Sequence, residues 1–187
     1  MCKDFLQAKE IVTSNPKPTK LITHFWRIDN FQHHLHMAKT GDPISLYSDQ
    51  FSTGKHGYWF YLCAYPNGFL DGLGSYSSIY LHLAPGPSDT ALPWPFKQSF
   101  TLGLIDQRTI DKTSLQHIKY ECSPDPINSY VDGEIFKRPV KYDSSQGWGK
   151  TKFVSHEDLF AGRFIKDNSL MIAVKIEQFD LADIIEF

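Results

Sequence analysis

The sequence has no apolar run able to cross a membrane as a helix: the longest, residues 58–65, is eight residues, where a span needs about 20. Cysteine is scarce. Cys2, Cys63 and Cys122 are odd in number and show no Cys-x-x-Cys spacing. No Asn-x-Ser/Thr sequon occurs, and Met1-Cys2-Lys3-Asp4 carries charge where a secretory signal needs an apolar stretch. Together these absences predict a reducing, cytoplasmic setting with no direct membrane insertion. Charge of one sign is also lacking: the net charge is −2 and the Lys and Arg residues are scattered, so a nucleic-acid footprint is missing. Nor is there a serine nucleophile elbow, a P-loop or a dinucleotide fingerprint. The expectation is a protein that is not an enzyme and carries no cofactor.

One cluster of metal-ligand type stands out, His33-His34-Leu35-His36. It has no partner cysteine nearby and lacks the i, i+4 spacing of a helical zinc site. Gly41 and Pro43 place it beside a loop, so a solvated, His-rich loop without metal is expected. Cys63 lies within an apolar strand, where a thiol is usually inert.

What the chain does have is aromatic residues, 14% of the total, in short alternating runs. Alternation is the mark of a strand, because successive side chains face opposite sides. Residues 22–31 alternate with Ile22, Phe25 or Trp26, Ile28 and Phe31 as inward candidates. Residues 58–65 are apolar throughout and read as a central strand. Residues 77–83 put Ile79, Leu81 and Leu83 on one face and Tyr80 and His82 on the other; residues 100–105 and 170–179 repeat the theme. Turn signals separate these runs, among them Pro66-Asn67-Gly68, Pro85-Gly86-Pro87, Pro124-Asp125-Pro126 and Ser144-Ser145-Gln146-Gly147. Seven or eight short strands spaced in this way predict an antiparallel sandwich. Helix is expected only at residues 155–160, capped by Ser155, and at the amino terminus. There Phe5, Ala8 and Val12 have coiled-coil spacing, which reads either as a frayed terminal helix or as the end of a self-associating coil.

The order of motifs resembles the TRAF branch of the MATH domains. It is carried by Phe25-Trp26-Arg27-Ile28-Asp29-Asn30-Phe31, Tyr65-Pro66-Asn67-Gly68, Trp94-Pro95-Phe96, Asp106-Gln107, Gly147-Trp148-Gly149 and Phe164-Ile165-Lys166-Asp167-Asn168. The resemblance runs from about residue 22 to 179. It implies an eight-stranded antiparallel β-sandwich over residues 21–187, preceded at residues 1–20 by the end of a coiled-coil helix and a linker. It further implies a trimer whose partners are short extended peptides of receptor cytoplasmic tails or adaptors, bound by strand addition. The alternative it leaves open is a MATH module that delivers peptide-bearing proteins to a ubiquitin ligase or protease. Residue by residue, the motifs Trp94-Pro95-Phe96 and Asp106-Gln107 are expected to be structural.

The candidate peptide site is Tyr65, Tyr80, Gly147, Trp148, Gly149 and Lys150. Two glycines around an aromatic suit a sheet edge at which a foreign backbone approaches closely. The plainer alternative is that Gly147 completes a turn and Trp148 packs inward. Tyr65 and Tyr80 enter through the resemblance, which gives them to a groove, and Lys150 could meet an acidic ligand residue. Cys63 and Phe69 depart from the family's pattern, where an arginine and an acidic residue are common. On the edge reading, Gly149→Val obstructs the ligand and leaves the sandwich folded.

Overall fold

The computed structural model describes residues 20–41, 43–110, 112–141 and 147–178. The amino-terminal helix expected around Phe5, Ala8 and Val12, and all but Gly147 of the Ser144-Ser145-Gln146-Gly147 turn, lie outside the described residues. Among the described residues two antiparallel sheets face each other. One is ordered β1 (Lys20–Ile28), β9 (Leu170–Gln178), β6 (Phe100–Leu104), β7 (Ile118–Cys122). The other is ordered β2 (Leu46–Tyr47), β4 (Trp59–Tyr65), β5 (Tyr76–Ala84), β8 (Gly147–Ser155), with β3 (Phe51–Ser52) also on β4. Because β2 and β3 occupy the same edge of β4, nine short strands fill the eight positions of the expected sandwich.

The alternation reads out as burial. Phe60, Leu62 and Ala64 of β4 and Ile79, Leu81 and Leu83 of β5 turn inward, and Leu102, Leu104, Ile172, Val174 and Ile176 meet them from the other sheet. Each of these Val, Leu, Ile and Phe side chains contributes roughly 1.5–3 kcal/mol of transfer free energy when fully buried. On β1 the inward residue of the open pair is Trp26, which packs on the core, while Phe25 is 58% exposed.

Two helices were not expected. Strand β1 stops at Ile28, Asn30 takes a left-handed backbone (φ 53°), and α1 (Phe31–Thr40) follows, with α2 (Tyr130–Ile135) later in the chain. Phe31 therefore belongs to a helix and not to the first strand. The His33-His34-His36 cluster lies on that helix and not in a loop. The reason is a buried stripe, Phe31, Leu35 and Ala38, at helical spacing. The short helix α3 (His156–Phe160) is where the sequence places it, and the Ser155 side chain accepts from the Asp158 N–H at 3.0 Å.

The two motif segments act as clamps. Phe96 is fully buried, while Trp94 donates from Nε1 to the Asp89 carbonyl at 2.7 Å. Gln107 donates from its amide to the Ser169 carbonyl at 2.9 Å. The buried Asp106 carboxylate accepts from the backbone N–H groups of Arg108 (3.1 Å) and Gln116 (2.9 Å) and pairs with the Arg108 guanidinium at 2.6 Å. The hydrogen-bonded guanidinium and the two N–H groups hold the Asp106 carboxyl well below the usual carboxylate range. A depressed folded-state value means the stabilisation is complete above about pH 4 and is lost as pH falls toward the folded value. Asp106→Ala should thus cost about 3 kcal/mol at neutral pH. The gap from the parent protein should narrow below about pH 4; urea denaturation at pH 7 and pH 3 checks both.

Candidate functional site

Strand β8 ends its sheet: among the described residues no strand pairs with its free side. A terminal strand presents a row of unpaired N–H and C=O groups, the template that an added strand uses. Its register on β5 is Tyr80 opposite Gly149, Leu81 opposite Trp148 and His82 opposite Gly147.

This register divides the six sequence-predicted residues between two faces. Tyr65, Tyr80, Gly147 and Gly149 share the outer face of the sheet. Trp148 lies opposite the inward Leu81 and packs on the core, 5.6 Å from the Phe136 ring. Lys150 lies opposite the inward Ile79 and reaches over the Tyr120 ring of the other sheet, 5.9 Å from its centre. Trp148 therefore takes the inward alternative, and it and Lys150 bridge the two sheets along their common side.

The glycines have an internal reason as well. A Cβ on Gly149 would lie 2.0 Å from the Ile79 carbonyl oxygen and 2.7 Å from the Tyr80 Cα. A Cβ on Gly147 would lie 2.4 Å from the His82 ring. The backbone that approaches Gly149 closely is thus the protein's own β5. Beside it the register slips: Ile79 pairs with Lys150, but Ser77 pairs with Val154, so β8 bulges opposite Ser78.

On the outer face the structure assembles more than the sequence suggested. Tyr65 and Phe69 stack with ring centres 4.8 Å apart, and Tyr80 stands perpendicular to both at 6.0 and 6.1 Å. The series continues through His82 to Tyr61 (4.8 Å) and Tyr47 (6.0 Å). The 61, 63, 65 alternation on β4 and the 80, 82 alternation on β5 were the available signal for this strip. Phe69 was out of reach of any period, because it sits in the turn that links the two strands. Cys63 is buried among these rings, and burial pushes its thiol up to about 11. Burial likewise raises the Tyr80 phenol to about 12, so both groups are neutral in the physiological range. Among the described residues no group of three His, Cys, Asp or Glu side chains is arranged to hold a metal ion. No helix among them is long and apolar enough to cross a membrane.

Comparison with known proteins follows the same outline. A family profile described as MATH domain matches residues 23–176. Human TNF receptor-associated factor 5 is 32% identical over 161 residues, taking in 85% of this chain and 27% of that protein. TNF receptor-associated factor 6 of Danio rerio is 28% identical over 154 residues, 82% of this chain and 27% of that protein. The solved structure of Notothenia coriiceps TRAF5 superposes with a TM-score of 0.73 at 28% identity, covering 85% of this chain and 74% of that one. The chain spans less than a third of the length of the curated relatives it matches.

These distances reverse the expected effect of one substitution. Gly149→Val places branched carbons against the β5 backbone, which should cost at least about 1–3 kcal/mol of stability by overpacking. A fall in the urea midpoint measured with no ligand present is the expected result. An unchanged midpoint would restore a purely ligand-facing role for Gly149.

Proposed function

The chain belongs to the MATH-domain family, and from that premise we propose that it is the peptide-reading domain of a TRAF-type signalling adaptor. It binds short extended segments of receptor cytoplasmic tails or of other adaptors by strand addition to β8. The observation that carries this reading is the free edge of β8, with the side-chain-free Gly149 directly opposite Tyr80. Main-chain pairing supplies affinity at such an edge, and alternate ligand side chains supply specificity on the face beyond it. The names of the relatives, TNF receptor-associated factors 5 and 6, support receptors as the partner class. The role is one of recognition, without a reaction of its own, and its setting is the cytoplasm.

Self-association belongs to the same proposal. If more coil precedes them, Phe5, Ala8 and Val12, which have coiled-coil spacing in the sequence, would join three chains into a trimer. About ten such residues are too few to hold a helix alone. Linking three weak peptide sites multiplies avidity toward clustered receptor tails.

A peptide array tests the reading. Binders rich in Pro-x-Gln or Pro-x-Glu support the adaptor, and Ser/Thr-rich degron sequences would point instead to a substrate module of a ubiquitin ligase. Tyr80→Ala should weaken the best array peptide by about tenfold, near 1.4 kcal/mol, without lowering the thermal midpoint by more than a few degrees. Calorimetric titration against the parent and the variant gives the comparison.

A further inference from the structure

We propose that residues 179–187 of this sequence, which lie outside the described residues, fold back onto the outward face of α2 and cover it. That face is inverted for a surface helix. The Ser129 N–H donates to the Asp125 carbonyl and the Gly133 N–H to the Ser129 carbonyl, each at 2.9 Å, so helical winding runs from residue 125 into α2. On this winding Ile127 (76% exposed), Tyr130 (84%) and Val131 (55%) occupy one arc, while the opposite arc buries Asp132 and Phe136. Single exposed apolar residues are ordinary. An apolar stripe turned outward while a carboxylate is turned inward reverses the usual amphipathic order, and such a stripe marks a contact surface.

Position picks the occupant. Ile176, Phe100 and Cys122 form one row across β9, β6 and β7. In the next row the Glu177 N–H donates to the Ser99 carbonyl (2.9 Å), and the Ser99 and Ser123 hydroxyls meet at 3.1 Å. The chain therefore leaves β9 two interstrand spacings, about 10 Å, from where it leaves β7 toward α2. Nine extended residues span up to about 30 Å, ample for the return. Between the two exits, Gln98 Oε1 is shut from solvent and accepts no hydrogen bond among the described residues. A backbone N–H of the returning segment would find its acceptor there.

Composition agrees. The segment Phe179-Asp180-Leu181-Ala182-Asp183-Ile184-Ile185-Glu186-Phe187 carries five large apolar side chains and three carboxylates. Beside α2, Lys97, Arg138 and Lys141 are exposed and have no ion pair among the described residues. The Phe96 N–H on the Phe136 carbonyl (2.8 Å) brings Lys97 to this stretch. The local acids are already engaged, Glu134 with Lys137 at 2.5 Å and Asp125 with the Asn128 amide at 3.1 Å. Residues 1–19 join at the same end, since Lys20 pairs with Gln178, but they carry three lysines against two acids. The stretch of them nearest β1, Thr13-Ser14-Asn15-Pro16-Lys17-Pro18-Thr19, has no large aliphatic or aromatic side chain. The acidic, apolar segment is the one whose charge and side chains complement this face.

The test is nuclear magnetic resonance on the full 187-residue chain with labelled Ile, Leu and Val methyl groups. Methyl contacts from Ile127 or Val131 to Ile184 or Ile185 are expected, with intensities that hold on about tenfold dilution. Tyr130→Ser, at an exposed position, should weaken them. In the double variant Ile184→Asp/Ile185→Asp the amides of residues 130–135 should exchange about tenfold faster, while those of residues 100–104 keep the parent rates and show the sandwich intact. Absence of the methyl contacts from the parent protein, or unchanged exchange in the double variant, overturns the inference. Contacts that fade on dilution assign the face to a second copy of the chain and overturn it as well.

Discussion

A single chain of aromatic packing holds the two sheets and the candidate edge in register. Phe60 of β4 meets Phe96 at 5.3 Å; Phe96 meets Phe136 at 5.9 Å; Phe136 meets Phe100 of β6 at 6.3 Å and Trp148 of β8 at 5.6 Å. Phe96 and Phe136 come from long connections and not from strands, and the Phe96 N–H donates to the Phe136 carbonyl at 2.8 Å. Two loops thus share one interior contact that touches both sheets. Offset and edge-to-face pairs of this kind each add about 0.5–1.5 kcal/mol beyond the area they bury. Trp148 is the member that pins β8, the strand with no paired neighbour on its far side among the described residues. Its inward turn leaves the edge backbone free while fixing where that backbone lies.

The fold was legible wherever period 2 and burial coincide. The runs at 58–65 and 77–83 became the two central strands of one sheet, and the split between Leu81 inside and Tyr80 outside was readable from alternation. Helix α1 escaped for a physical reason: its signal lies not in the three histidines but in the helical spacing of Phe31, Leu35 and Ala38, which runs past them on both sides. The site was half legible. Gly147 and Gly149 lie on the strand that ends the described sheet and Tyr80 on its inner neighbour β5, yet no sequence pattern announces that Gly149 is hemmed in by β5, because the close approach arises from a bulge between distant segments. Lys150 and Trp148 were grouped with the glycines by adjacency, and the pleat sends alternate residues to opposite faces.

Phe69 shows how a turn can outweigh a strand in shaping a surface. Its neighbours Tyr65 and Tyr80 are fixed by β4 and β5, but the wall they start would be incomplete without a ring delivered from the connection between them. The hydroxyl of Ser78 accepts from the Phe69 N–H and donates to the Thr151 carbonyl, linking that turn to β8 through one buried side chain. The outer aromatic face and the edge strand are therefore mechanically one piece, even though they are far apart in sequence.

The bulge in β8 has a bearing on solubility. Three residues, 151–153, stand opposite Ser78 alone, so the pairing geometry of the strand is broken after Lys150. Extended edges invite identical chains to zip together, and proteins blunt them with twists and interruptions. Among the described residues the stretch of regular pairing is 147–150, and beyond it the 3-10 turn Leu70–Gly72 leans on the Thr151 carbonyl. A regular stretch of four residues gives a second copy of the domain few main-chain pairs to form. The interruption thus guards a naked edge against runaway polymerisation while leaving enough of it open for a brief visitor.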